Sequence, residues 1–254
     1  MAEDRPAALV TGSASGIGRA AALRLARAGY DVAVNYRRSE DDALRTLAEL
    51  EGLGGRHLAL RADVSDDDAV AAMVTAAGDA YGRLDALVNN AGMTSSTAPE
   101  DLNGVDLAEW DRVFAVNVRG LFQVTRACAD RLRAARGSVV NVASIVGLRP
   151  GPQPLAYAAS KAAVVSLTRT LSRVLAPEVR VNAVAPGWIA GEWMQRTLGE
   201  NYDRLMERRA TWTPMQRNGS PAARSIGSLP KGLPRKPSCC SRTRTISCRS
   251  IWPR

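Results

Sequence analysis

The feature that most constrains the fold is a regular alternation of short β-like runs with longer helical segments. Strand patterns cover 7–11, 31–36, 56–62, 84–92, 137–144 and 180–187. Helical patterns cover 16–28, 40–52, a stretch that Ser65 or Asp66 caps and that runs to Tyr81, then 107–134 and 156–176. Alternation of this kind implies parallel strands joined by right-handed crossovers. The sequence therefore predicts an α/β fold with a doubly wound parallel sheet.

The loop after the first strand predicts a phosphate-binding turn. It reads "TGSASGIG", and glycines let such a turn take positive φ and let a pyrophosphate approach the backbone. The helix that follows presents free N–H groups and the positive end of its dipole. The loop lacks the Lys-Ser/Thr pair of a nucleoside-triphosphate loop. The predicted cofactor contacts here are Gly12, Ser15, Gly16, Ile17 and Gly18.

The end of the second strand bears on which nicotinamide would bind. An NAD site usually has an acidic residue there to hold the ribose hydroxyls, but this strand ends "VNYRRSE". Guanidinium groups suit a 2′-phosphate, so Arg37 and Arg38 predict NADP(H), with NAD(H) as the alternative. The alternative interpretation is that these residues are a solvated start of a helix, without a role in cofactor binding.

A Tyr–Lys pair marks the predicted proton-transfer site. Tyr157 and Lys161 in "YAASK" are four residues apart and face the same side of one helix. A nearby ammonium is expected to lower the pKa of a phenol and so to prepare it for acid–base work. The spacing alone is common in helices. Ser144 at the end of the fifth strand and Asn117 in "FAVNVRG" make the pattern more specific.

In this order and spacing, the motifs resemble the classical short-chain dehydrogenases/reductases, a family with a Rossmann-like fold. The resemblance spans residues 7 to about 221. Within the family, the sequence looks most like the 3-oxoacyl-acyl-carrier-protein reductases. It is carried by "TGSASGIG", "ADV" (62–64), "NNAG" (89–92), Asn117, Ser144, "YAASK" and "APG" (185–187).

The resemblance implies a role for each matching residue. Tyr157 would be the general acid in reduction, Ser144 would orient the substrate oxygen, Lys161 would hold the nicotinamide ribose, and Asn117 would position a water. Further cofactor contacts are implied at Asp63, Val64, Asn90, Ala91, Gly92, Pro186, Gly187 and Ile189. The substrate-shaping lid would lie at about 188–216.

Charge and cysteine content argue against other classes of function. The formal net charge is +9, but 8 of the 34 Lys and Arg residues lie in 218–254, which has no acidic residue. The rest of the chain is nearly neutral, so a folded nucleic-acid-binding face is not expected. No metal-ligand spacing accompanies the single histidine, His57, which we interpret as a strand residue. No signal peptide or membrane-spanning run is visible, which predicts a cytoplasmic protein.

The final segment departs from the pattern of the preceding residues. From about 222 to 254 the chain is basic and rich in Ser, Pro and Cys, where the family would have a last helix and core strand. We therefore divide the chain into a catalytic domain, 1–221, and an irregular tail, 222–254. Our hypothesis for the tail is a reading-frame slip near Ala222, and the alternative is a genuine disordered extension. Losing the last strand would weaken the homo-oligomer that the family leads us to expect.

Three functions are compatible with the sequence. The first is NADP(H)-dependent interconversion of a ketone, such as a 3-oxoacyl thioester, with a secondary alcohol. The second is a catalytically impaired or unstable reductase, and the third is an NADP(H)-binding sensor without turnover. The complete set Asn117, Ser144, Tyr157 and Lys161 favours an enzyme, because a sensor has no need of a proton relay.

Overall fold

The computed structural model describes residues 5–95, 97–149, 151, 153–211, 219–220 and 244–246. Its centre is one sheet with the strand order β3-β2-β1-β4-β5-β6-β7. The first six strands are parallel: β1 (Ala7–Val10), β2 (Asp31–Tyr36), β3 (His57–Arg61), β4 (Ala86–Asn89), β5 (Ser138–Val142) and β6 (Arg180–Ala185). The chain moves outward from β1 to β3 and then returns to pair β4 with the other side of β1. The predicted doubly wound fold is thus confirmed.

The helices of the described residues are α1 (Gly16–Arg27), α2 (Glu40–Glu51), α3 (Asp67–Tyr81), α4 (Leu107–Phe114), α5 (Leu121–Ala134), α6 (Leu155–Val174), α7 (Glu192–Leu198) and α8 (Tyr202–Thr211). Helices α1 to α6 connect the parallel strands as expected, and α7 and α8 follow β6. A six-residue π-helical turn, Ala115–Gly120, joins α4 to α5. None of the helices in the described part of the chain is long and apolar enough to cross a membrane.

The burial of β1 and β2 follows from their place at the middle of the sheet. Every residue of both strands is buried, as expected where helices cover both faces of a parallel sheet. Leu9 faces an apolar layer that α3, α5 and α6 complete, whereas Val10 faces a layer formed with α1 and α2. The alternation along one strand therefore holds two helical layers on opposite faces.

The second face is less well covered at β5 and β6. Val140 lies in register with Val88 on the α1–α2 side of the sheet and is only partly buried, as are Asn182 and Val184. A seventh strand, β7 (Arg244–Ile246), pairs antiparallel with β6. The sequence did not predict this three-residue strand. The rest of the segment 222–254, with Cys239, Cys240 and Cys248, lies outside the described residues, so the irregular tail stays a prediction.

Several local predictions have definite outcomes. Asp66 rather than Ser65 caps α3, because its side chain accepts a hydrogen bond from the Ala69 amide. His57 begins β3, as predicted; its Nδ1 accepts from the Val32 amide at 3.1 Å. The predicted helix 107–134 is present but interrupted by the π-helical turn. The predicted lid contains the short helices α7 and α8.

Candidate active site

The loop between β1 and α1 combines two tight glycine contacts with one open glycine. A Cβ on Gly12, whose φ is +60°, would lie 2.9 Å from the Cα of Ala91. A Cβ on Gly18 would lie 2.5 Å from the Asn90 amide nitrogen and would overlap the Gly12 carbonyl. Gly16, with φ +58°, has no atom within 4 Å of such a Cβ. The absence of a side chain at Gly12 and Gly18 therefore allows the close contacts within the loop, while the backbone at Gly16 stays accessible.

Two asparagines from neighbouring strands fix the loop. Asn90 donates from its side chain to the carbonyls of Thr11 and Gly12 at 2.9 and 2.8 Å. The side-chain oxygen of Asn35, near the end of β2, accepts from the Gly12 amide at 3.1 Å. The main-chain N–H of Asn35 donates to the Ser13 hydroxyl. Asn90 belongs to the predicted set, but Asn35 does not. Its signal was a polar residue that interrupts the apolar residues following Asp31 in the strand "DVAVNY".

A cleft of about 650 Å³ opens at the carboxyl ends of β1 and β4. Ligands of doubly wound sheets bind at such a switch point. Thirteen predicted residues line the cleft: Gly12, Ser15, Gly16, Ile17, Asn90, Ala91, Gly92, Ser144, Tyr157, Lys161, Pro186, Gly187 and Ile189. Six predicted residues are not in the lining: Gly18, Arg37, Arg38, Asp63, Val64 and Asn117.

Ser144, Tyr157 and Lys161 meet at one end of this cleft, and all three are buried. The Ser144 side chain hydrogen-bonds to the Tyr157 phenol. Lys161, one turn further along α6, donates from Nζ to the Val142 carbonyl at 2.8 Å. This Nζ lies 5.7 Å from the centroid of the Tyr157 ring. The end of β5 and the first turns of α6 thus bring a hydroxyl, a phenol and an amine together.

Burial controls the protonation of these groups. It raises the pKa of Tyr157 to about 12, although the hydrogen bond with Ser144 acts in the opposite direction. It also lowers the pKa of Lys161 to about 8. The sequence led us to expect a phenol pKa lowered by Lys161. Desolvation raises this pKa instead, and the opposing contribution comes from Ser144 rather than from Lys161. At neutral pH the pair is a neutral phenol beside a mostly charged ammonium.

Asn117 lies behind the cleft in the π-helical turn, with 1% of its surface exposed. Its side-chain oxygen accepts from the Met93 amide at 2.8 Å. Its amide nitrogen donates to the Met93 carbonyl and to the Ser160 hydroxyl, both at 2.9 Å. Ser160 in turn donates to the main-chain carbonyl of Tyr157 at 2.7 Å. Asn117 is therefore tied to the start of α6 through Ser160, a residue that the sequence analysis did not single out.

The chain as a whole has relatives among known proteins. The family model for short chain dehydrogenase matches residues 6–203. The chain belongs to the short-chain dehydrogenase family. Proteins of this family are oxidoreductases that use NAD or NADP and act on small-molecule substrates, so the enzyme class predicted from the sequence is confirmed.

Two curated relatives of this short-chain dehydrogenase are reductases by name. It is 42% identical over 221 residues to granaticin polyketide synthase putative ketoacyl reductase 2 of Streptomyces violaceoruber, covering 87% of this chain and 86% of that protein. It is 40% identical over 214 residues to the 3-oxoacyl-[acyl-carrier-protein] reductase FabG of Staphylococcus aureus, covering 84% of each. The predicted likeness to 3-oxoacyl reductases is therefore confirmed.

Two solved structures of related enzymes differ in their cofactor. A short chain dehydrogenase from Burkholderia cenocepacia in complex with NADP has a TM-score of 0.77 and 35% identity, over 85% of this chain and 86% of that one. An NAD+-bound xylitol dehydrogenase has a TM-score of 0.78 and 30% identity, over 85% of this chain and 88% of that one. Likeness in fold thus goes with either cofactor.

In this short-chain dehydrogenase the residues predicted to select the cofactor are not part of the cleft lining. Arg37 and Arg38 are exposed after β2, and Arg37 forms an ion pair of 3.0 Å with Asp63. Burial alone would raise the pKa of Asp63, but hydrogen bonds from Ser65 and Arg37 outweigh it and keep this pKa below its usual value. Val64 is buried and lies against Gly120 of the π-helical turn.

The cleft also has a charged rim that the sequence analysis missed. Arg19 of α1 pairs with Glu49 of α2, and Arg45 pairs with Asp42 within α2. The hydrogen bond from Arg19 lowers the pKa of Glu49. Solvent-facing charges on amphipathic helices give no sign of which ones border a cleft. Among the residues that the structure describes, no group of His, Cys, Asp and Glu could hold a metal ion.

Proposed function

We propose that the protein reduces a ketone to a secondary alcohol with NADPH and also catalyses the reverse reaction. A 3-oxoacyl thioester is the proposed substrate, in keeping with the names of both curated relatives. The observation that carries the proposal is the meeting of Ser144, Tyr157 and Lys161 at one end of a cleft whose other end is the glycine loop. An acid–base group and a dinucleotide cradle thus share one space.

The residues present fit a dinucleotide. The open backbone at Gly16 and the start of α1 offer a pyrophosphate its usual partners, since N–H groups at a helix start are free to donate. When bound, NADPH supplies a hydride to the carbonyl carbon and leaves as NADP+, while the carbonyl oxygen takes a proton. Ala91 and Gly92 would border it between the loop and Lys161, and Pro186, Gly187 and Ile189 would border it on the side of β6.

Tyr157 is the proposed donor of that proton. Its pKa of about 12 keeps the phenol protonated at neutral pH, which is the form that reduction needs. Ser144, hydrogen-bonded to the phenol, would place the substrate oxygen at the same point. Both protons of the Asn117 amide are in use, so a water at Asn117 would be held by a carbonyl oxygen of this residue. Lys161 would hold the ribose and stay charged below its pKa of about 8.

The preference for NADP(H) over NAD(H) is part of the proposal. Two arginines and no acidic residue directly follow β2. Arg37 already faces Asp63, whereas Arg38 is exposed and has no ion pair with any carboxylate of the described residues, so its guanidinium would be available to a 2′-phosphate. The double variant Arg37→Ala/Arg38→Ala should lower kcat/KM for NADPH by more than tenfold and leave NADH almost unchanged. Arg24→Ala, at an exposed position of α1, is the control. An equal loss of kcat/KM with NADPH and NADH in the double variant would refute the assignment.

The central test is oxidation of NADPH by the purified chain with a 3-oxoacyl thioester. Tyr157→Phe should reduce kcat by about 10²- to 10⁴-fold, the usual contribution of a positioned general acid, and NADPH should still bind. Tyr30→Phe, which changes a tyrosine packed under α1 and α2, is the matched control. Undiminished turnover in Tyr157→Phe would refute the mechanism. Binding of NADPH without turnover of any ketone would favour the sensor, and an aggregated chain would favour the impaired reductase.

We also propose that the tail, 222–254, weakens assembly of the protein. The support is the partial burial of Val140 and Val184 on one face of the sheet. Solution molar mass tests this proposal, and a stable tetramer would contradict it. Reading the coding DNA in the other two frames tests the frame-slip hypothesis, which fails if neither frame restores a helix and an apolar strand.

A further inference from the structure

The two ends of the cleft differ in chemistry. Arg19, Asp42, Arg45 and Glu49 border the end near the glycine loop. Apolar residues border the end near Tyr157: Pro186, Ile189, Ala190, Trp193 and Met194. Lys161 carries the only charge among the described lining residues of that second end, and it lies behind Tyr157 on the Val142 carbonyl. A ketone bound at Tyr157 therefore has apolar surface beside it.

Trp193 is the most prominent part of this apolar surface. It is the second residue of α7, and 41% of its surface is exposed. Its ring centroid lies 5.9 Å from that of Tyr157, and the two ring planes are tilted by 41°. Because the two rings are this close, a substituent of a ketone whose oxygen reaches the Tyr157 hydroxyl would lie within reach of the indole.

The surrounding lid anchors the segment that carries Trp193. Trp188, Met194 and Met206 form a small buried cluster, and the guanidinium of Arg209 lies 4.8 Å from the centroid of the Trp188 ring. Backbone hydrogen bonds join Trp188 and Ala190 to Gly219 at 3.1 and 2.8 Å. Met194 and Ile189, two of the lid residues that line the cleft, are thus held in place. The exposed indole face is a feature of an anchored lid.

We infer that Trp193 is a specificity-determining residue, and that the substrates it selects are ketones with a planar, unsaturated substituent next to the carbonyl. Such a substituent stacks on the indole while the carbonyl oxygen reaches Tyr157 and Ser144. This inference rests on the proposed function, because it assumes that a ketone reacts at Tyr157.

The physical reason for a planar group is the geometry of aromatic contacts. Indole rings favour offset or edge-to-face contact with another π system at centroid separations of 4.5–7 Å, beyond what area burial alone gives. A saturated group of the same size gains the burial but not this additional term. The term corresponds to about a threefold to tenfold preference for the planar substrate.

The test uses two thioesters that differ in one ring, which is planar and aromatic in the first and saturated in the second. They are the N-acetylcysteamine thioesters of 3-oxo-3-phenylpropanoic acid and of 3-oxo-3-cyclohexylpropanoic acid, each assayed with NADPH. The quantity is the ratio of kcat/KM for phenyl over cyclohexyl. Comparing this ratio between variants cancels the different intrinsic reactivities of the two ketones. Trp193→Leu keeps an apolar side chain without a ring, and Trp193→Phe restores a ring.

The inference predicts that Trp193→Leu lowers the ratio by about threefold to tenfold and that Trp193→Phe recovers most of the loss. Trp110→Leu is the matched control. Trp110 stacks on Phe114 at 5.6 Å in α4 and is not part of the cleft lining, so its ratio should match wild type. The affinity for NADPH should be the same in all four proteins.

Two results would overturn the inference while leaving the proposed function intact. One is turnover of both thioesters with an unchanged ratio in Trp193→Leu. The other is an equal loss of the ratio in Trp193→Leu and Trp110→Leu, which would indicate a general effect on the fold. A wild-type protein that binds NADPH but reduces neither thioester, nor any other ketone tried, would instead count against the proposed function itself.

Discussion

Replacing Asn141 with alanine should cost the fold far more than replacing a similar residue on the next strand. Asn141 of β5 is fully buried and lies in register with Asn89 of β4. Its side-chain oxygen accepts from Asn89, and its amide nitrogen donates to the Thr168 hydroxyl of α6, both at 2.9 Å. These two bonds tie three elements that carry the candidate site to one another.

The magnitude follows from what Asn141→Ala would leave behind. Asn89 keeps one amide proton on the Thr125 hydroxyl, but its second proton loses its acceptor. Thr168 still donates to the Val164 carbonyl but loses its donor. An orphaned buried donor costs about 1–3 kcal/mol, and the orphaned acceptor and the small void add to this. We expect the free energy of unfolding to fall by about 3 kcal/mol.

Equilibrium unfolding in urea at one fixed protein concentration measures the loss, because assembly would make stability depend on concentration. Asn182→Ala on β6, where the side chain is only partly buried, should cost less than about 1 kcal/mol. Thr168→Val removes one partner of the same bond, so the double variant should lose less than the sum of the single variants, with a coupling of at least about 0.5 kcal/mol. A loss below about 1 kcal/mol for Asn141→Ala, or strict additivity, would refute this account.

Three further outcomes are expected. Gly18→Ala should destabilise the fold by about 1–3 kcal/mol through overpacking against the Gly12 carbonyl, whereas Gly16→Ala should chiefly weaken NADPH binding. Thermal unfolding measures the first effect and cofactor titration the second, and the reverse pattern would contradict the loop geometry. The rate of ketone reduction should fall as pH rises through about 8, because Lys161 loses its charge there; the pH profile of Lys161→Arg should lack this step, and a step that persists belongs to another group. Burial lowers the pKa of His57 in the folded state below its unfolded value of about 6.5. The folded state thus binds fewer protons, so stability should be lost as pH falls below about 6.5. The urea midpoints at pH 7.5 and 5.5 should differ less in His57→Gln than in wild type. An equal difference in the two proteins would show that His57 does not cause this loss of stability.

The parts of the site that the sequence predicted are those that follow the ends of parallel strands. The loops after β1, β4, β5 and β6 must meet at one edge of the sheet, so motifs in those loops can be placed together without coordinates. This is why Gly16, Ala91, Ser144 and Pro186 line the same cleft, as predicted.

Contacts between elements were beyond the reach of sequence patterns. Asn35 supports the glycine loop from a position between apolar residues of β2, and Ser160 connects Asn117 to α6 from within a recognised motif. The π-helical turn that holds Asn117 has no sequence signature of its own. The direction of the Tyr157 pKa depends on how deeply the phenol is buried, which the spacing of Tyr157 and Lys161 does not show.

The contrast between the two ends of the cleft bears on how such a gene could diversify. The charged rim comes from residues 19–49 and the apolar wall from residues 186–194, so the two are encoded far apart in the gene. A single recombination crossover between them could combine the rim of one parent with the wall of another. In the sheet, β1, β4 and β5 separate β2, which α1 and α2 flank in the chain, from β6, which precedes the apolar wall. Specificity for the ligand that binds at the charged rim could therefore be inherited separately from specificity for the ligand that binds at the apolar wall.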